Sequence, residues 1–97
     1  YVKDEIYEYI VNIVESTRKL DIFSMGASPR GTIALLRMAK AMAVVDGRDY
    51  VTALDVQSVV KDTLGHRVKL SARGKAQGFD MVHAMYNVLG QVTAPRI

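Results

Sequence analysis

The residue least at ease with its local context in this 97-residue chain is Arg30. The run Ala27-Ser28-Pro29-Arg30 reads as a helix start: Ser28 can cap the free amides of a first turn, and Pro29 suits the first helical position, where its missing N–H is not needed. Arg30 then puts a fixed positive charge where the helix dipole is already positive, unfavourable by roughly 0.3–1 kcal/mol. That cost disappears when an anion arrives, because amides, dipole and guanidinium all converge on it, and phosphate is the natural candidate. From the residues alone, a solvent-exposed arginine or one paired with Asp21 or Asp49 competes with this reading. Arg37 lies only about 20° further around the helix and can extend the same face. A plain solvent-facing arginine is the alternative there.

Other chemistries fare worse. Gly26 and Gly31-Thr32 have the glycine spacing of a phosphate-binding loop. The lysine after the second glycine is missing, however, Pro29 removes one cradling amide, and no strand-like run precedes the motif. With no cysteine, and only His66 and His83 as imidazoles, a zinc module is excluded. The serines and histidines are scattered, His83 falls on the flank of the last helix, and no nucleophile stands beside a base. Catalysis by this segment alone is not expected.

Charge is uneven: residues 1–62 carry eight Lys/Arg against nine Asp/Glu, and residues 63–97 carry five against one. Arg67, Lys69, Arg73 and Lys75 can meet an acidic partner or nucleic acid, but no aromatic residue interleaves them as a stacking platform requires, so they read as a solvated face or loop. No apolar run approaches the ~18 residues of a membrane span, and the first twenty residues are too acidic for a signal peptide. A soluble, cytoplasmic domain is expected. The chain begins at Tyr1 rather than methionine and turns periodic at once, as a piece of a longer protein would.

The elements that must position these residues are helical. Val2, Ile6, Ile10, Ile13, Val14 and Thr17 recur at three- and four-residue steps, giving an amphipathic helix ending near Arg18 or Lys19, followed by a loop over Asp21–Ala27. A second helix over Pro29–Asp46 carries an apolar stripe of Leu35, Met38, Ala39, Met42 and Val45 and closes at Gly47. Thr52 and Asp55 form a variant capping box, with Val51 and Val56 as its staple, so a third helix runs from Ala53 to Gly65. His66–Leu70 alternates as a short strand would, beside Tyr50-Val51, and Ser71–Gly78 has room for one turn of helix. Asp80 caps a fourth helical stripe of Met81 or Val82, Met85, Val88, Leu89 and Val92. The expected architecture is one all-α domain over residues 1–97, ordered over about 2–92, with four helices and room for a two-stranded β element.

The ordered series Thr17-Arg18, Gly26-Ala-Ser-Pro-Arg30, Leu35-Leu36-Arg37, Ala39-Lys40-Ala41, Asp46-Gly-Arg-Asp-Tyr-Val-Thr52, Asp55-Val56, Leu64 and His66-Arg67 resembles the C-terminal lid of MoxR-type AAA+ ATPases over about residues 9–70. The resemblance implies a small helical bundle that follows a nucleotide-binding core and folds over ATP and its magnesium. It implies that Arg30, flanked by Ser28 and Pro29, is the second sensor reaching the phosphates, with Arg37 and Arg18 as secondary candidates. It further implies a ring homo-oligomer, a hexamer, that remodels client proteins as a chaperone, often beside a partner with a von Willebrand A domain. Gly31 departs from the family's usual alanine and should slightly loosen the first turn, and Gly65 precedes His66-Arg67 where a longer residue is usual. The Walker lysine, acidic metal motif and first sensor are absent here, so hydrolysis belongs to a core outside this chain.

Two rival classes are consistent with parts of the pattern. A long alanine-rich helix followed by Val-Thr-x-x-Asp-Val and a basic tail also resembles the histone fold, a nucleic-acid-binding module, although Arg37 and Lys40 make no dense cationic face. A partner-docking domain would use Met38, Met42, Met81 and Met85 as an adaptable surface.

Overall fold

The computed structural model describes residues 2–95. Tyr1, Arg96 and Ile97 lie outside the described residues, and with them the reading drawn from the initial tyrosine. Helix α1 (Asp4–Lys19) has acids in its first turn and Arg18 and Lys19 in its last, matching the dipole at both ends. Its buried residues Ile6, Tyr9, Ile10, Ile13, Val14 and Thr17 form the stripe that packs on α2 (Pro29–Val45), α3 (Ala53–Leu64) and α5 (Met81–Gln91). Tyr9 joins that core because its hydroxyl accepts a bond from Gln57 Nε2 on α3 at 3.1 Å.

Helix α2 is rotated from its expected face. It buries Gly31, Leu35, Ala39 and Ala43, while Met38 is 44% and Val45 80% exposed. The small residues Gly31, Ala39 and Ala43 in this row let α3 approach α2 closely, and this is the most extensive helix contact in the described residues. The helix ends at Val45, with Asp46 as its cap and Gly47 at φ +76°. From there Gly47 N–H reaches Val44 O and Arg48 N–H reaches Ala43 O, both at 2.9 Å, which satisfies the last carbonyls.

The loop expected over Asp21–Ala27 contains a strand, β1 (Phe23–Met25), which pairs antiparallel with β2 (Lys69–Leu70). Tyr50-Val51 is not the partner of β2. The register is Phe23 to Leu70 and Met25 to Lys69, with an irregularity between them. Each strand is too short to announce itself by alternation and exists through its long-range partner. The described residues form five helices in place of the expected four, because Ala72–Ala76 forms a short α4. Ser71 caps it, accepting from Gly74 N–H at 2.9 Å while donating to Asp21 O at 2.6 Å. Asp80 caps α5 through His83 N–H at 2.8 Å, and the bonds from His83 hold its carboxyl below the usual range.

Met85 is buried, Met42 and Met81 pack against the core, and only Met38 of the four methionines is well exposed, so they form no common docking surface. No helix of the described residues is long and apolar enough to cross a membrane.

Candidate functional site at the start of α2

The last turn of α1 reaches across to the segment entering α2. Thr17 Oγ1 donates to Val14 O at 2.6 Å and accepts from Ala27 N–H at 2.9 Å. Arg18 Nε donates to Ala27 O at 2.7 Å. Two adjacent residues thus hold both polar groups of the buried Ala27. Gly26 is needed here for space: a Cβ would lie 2.7 Å from the backbone N, Cα and Cγ of Arg18. The dipeptide and the glycine, separated in sequence, form one clamp that sets where α2 begins.

The exposed Ser28, Pro29 and Arg30 emerge from that clamp. Ser28 has the extended backbone of a cap, φ −76° and ψ 170°, but its side chain makes no capping bond, contrary to expectation. The Ala27 clamp fixes the turn instead, and the hydroxyl is left unused. Pro29 takes the first helical position as expected. Arg30 has no hydrogen bond or ion pair among the described residues, and Asp21, one of its expected partners, holds Arg73 at 2.7 Å. No acid stands in the first turn of α2. Gly31 is buried, and a Cβ there would come within 3.1 Å of Ala27 Cβ and 3.3 Å of Leu64 Cδ2, a tight fit for an alanine.

Other expected residues fall elsewhere. Arg18, a secondary candidate for nucleotide contact, spends its Nε on Ala27 O and so positions the turn. Arg37 is exposed and lines a cleft between α2 and the end of α3, together with His66 and Arg67. The basic run is spread over a turn, β2 and α4, with Arg73 committed to Asp21. A strand does precede the Gly26–Thr32 motif, contrary to expectation, but it is the three-residue β1, and Pro29 and Thr32 still deny the motif its amide and its lysine. Among the described residues no group of three or more His, Cys, Asp or Glu is placed to hold a metal ion.

Sequence reasoning saw Asp55 only as part of a cap. The capping box is present, with Asp55 Oδ2 accepting Thr52 N–H at 2.7 Å. The same carboxylate also takes a two-pronged grip from Arg48, Nη2 to Oδ1 at 2.6 Å and Nη1 to Oδ2 at 2.7 Å. Arg48 further contacts Asp46 at 2.8 Å and lies 5.5 Å from the Tyr50 ring centroid. The Arg48 bonds hold the Asp55 carboxyl down to about 2, against the opposing effect of burial. The signal that could have found this pair is Gly47, whose turn sends Arg48 back toward α3.

Residues 15–83 match the family model of the AAA lid domain. The chain belongs to the AAA lid domain family. The lid is 39% identical over 92 residues to the uncharacterised protein YeaC of Bacillus subtilis, covering 95% of this chain and 29% of YeaC. It is 32% identical to chaperone MoxR1 of Mycobacterium tuberculosis, covering 100% of this chain and 28% of MoxR1. A crystal structure of a provisionally assigned ATPase from Cytophaga hutchinsonii superposes with a TM-score of 0.85 at 30% identity, over 98% of this chain and 32% of that one. The lid is thus of the MoxR type, within the AAA+ ATPases, and spans less than a third of each of these relatives.

Proposed function

We propose that this lid closes over ATP held by an AAA+ core and that Arg30 serves as the second sensor, contacting the nucleotide phosphates on closure. One observation carries the reading: a 17-residue helix begins with an exposed, unpartnered arginine and has no acid in its first turn. Phosphate oxygens there would accept from guanidinium and meet the positive end of the dipole, so the residues present fit an anionic group. The Thr17-Arg18 clamp on Ala27 supports the reading, because it fixes the helix start from which Arg30 projects. Magnesium would neutralise phosphate charge from the core side, since this chain's described residues offer no cluster of ligands for it.

The name of MoxR1 as a chaperone supports a wider role, in which closure couples hydrolysis to remodelling of client proteins by a cytoplasmic ring of such ATPases, a hexamer, with a von Willebrand A domain protein as partner. The site is tested in the complete ATPase. Arg30→Ala should lower ATP affinity, turnover or both by about ten- to a hundredfold, the worth of a charge-assisted contact. Arg30→Lys, which keeps the charge and loses the planar fork, should fall between. Unchanged affinity and turnover in Arg30→Ala would withdraw the sensor assignment.

A further inference from the structure

Further along α2 lies a second group of cations. Arg37, His66 and Arg67 line one cleft of about 320 Å³ between α2 and the end of α3, and no side-chain hydrogen bond or ion pair engages any of them among the described residues. Thr63 lines it too, is only 5% exposed, and its hydroxyl has no partner; Arg67 Nε is likewise sealed from solvent and unbonded. All these groups can donate: guanidinium only donates, the threonine hydroxyl has a free O–H, and an imidazole donates through at least one nitrogen. Buried donors without acceptors are costly and few in folded proteins. The cleft is short of an acceptor.

Its charge and rim say which acceptor fits. The one carboxylate on its lining, Asp62, is 4.0 Å from Lys61 and largely exposed. Asp62 and Lys61 offset each other, so Arg37 and Arg67 leave the cleft net positive and complementary to an acidic partner. Met38 and Ala34 share the lining, and Ile33 of the same helix is 52% exposed, an apolar setting suited to a protein surface that dries on docking. Helix α2 carries Arg30, Arg37 and Lys40 and no acid at all, so its outer face attracts an acidic partner along its length. Arg37 also lies about 10 Å of helix rise from Arg30, too far to share one phosphate group.

We infer that the cleft between α2 and the end of α3 receives a carboxylate from an acidic protein segment docking along α2, gripped by Arg37 and Arg67 with His66 and Thr63 as further donors. This holds independently of the role of Arg30. The test uses the 97-residue chain with ¹⁵N-labelled arginines. The probes are a blocked pentapeptide with one glutamate among leucines, the same peptide with glutamine, and inorganic phosphate. The glutamate peptide should shift the Arg37 and Arg67 Nε–H signals saturably, and glutamine should bind about tenfold more weakly, as expected for loss of a charge-assisted bond. Arg37→Ala should weaken the glutamate peptide by about the same factor with the remaining spectrum unchanged, and the near-isosteric Thr63→Val should weaken it less. No saturable shift, equal binding of the glutamine peptide, or tighter binding of phosphate would overturn the inference.

Discussion

The starts of α2 and α3 are built in opposite ways. At α3 the cap is closed: Thr52 and Asp55 form a reciprocal box, Asp55 is 3% exposed, and Arg48 grips both of its oxygens. At α2 the candidate cap Ser28 is unbonded, the first turn holds a cation in place of an acid, and that cation has no partner among the described residues. The backbone ahead of α2 is nevertheless held at both polar groups of Ala27, by Thr17 and Arg18. In the function proposed here, the unsatisfied charge at the α2 start is the place for an incoming anion, whereas the paired groups at the α3 start serve the fold.

The contrast can be broken from the α3 side first. Asp55→Ala removes the cap and takes from Arg48 its two-pronged carboxylate partner, leaving it Asp46, and should cost about 2–4 kcal/mol in chemical unfolding. A loss below about 0.5 kcal/mol would mean that the α3 start is no better anchored than an exposed cap. The pH dependence is the next effect. The Asp55 carboxyl sits at about 2 in the fold against 3.8 ordinarily, so its contribution is complete above about pH 5 and drains away as pH falls through 3.8 toward 2. It amounts to about 2 kcal/mol, and Asp55→Asn should flatten the acid limb of the stability curve by that amount.

The clamp ahead of α2 is tested by Thr17→Val, which leaves the Ala27 N–H buried without an acceptor. Unfolding measurements should show a loss of about 1–2 kcal/mol, recovered in large part by Thr17→Ser. A valine variant as stable as the unmodified chain, with the serine variant less stable, would show that the methyl group, and not the hydroxyl, is what Thr17 contributes.

Features carried by a few adjacent residues were legible in the sequence. Pro29, Gly47, Thr52 with Asp55, and Asp80 mark helix boundaries through local backbone chemistry, and the structure places those boundaries within a residue of the expected ones. Arg30 was legible for the same reason, since its misfit is with its own turn. What could not be read depends on distant partners. The pairing of β1 with β2 joins residues 45 or so positions apart in segments of three and two residues. The Thr17–Ala27 clamp and the Arg48–Asp55 grip need the intervening loops closed before the groups meet. The buried face of α2 was misread because Gly31, Ala39 and Ala43 carry little hydrophobic weight, yet close helix approach favours them over Met38 and Val45.

The smallest expected change is the most direct test of the claim that the α2 start is left open for an anion. Thermal and chemical unfolding of the 97-residue domain carrying Arg30→Ala, in buffer free of phosphate and sulfate, reads the structural worth of that side chain alone. The account predicts no loss and a gain of up to about 0.5–1 kcal/mol, because a cation leaves the positive end of a helix dipole. A loss of more than about 1 kcal/mol, beyond what that dipole interaction can supply, would make Arg30 part of the fold's own bonding and contradict the account.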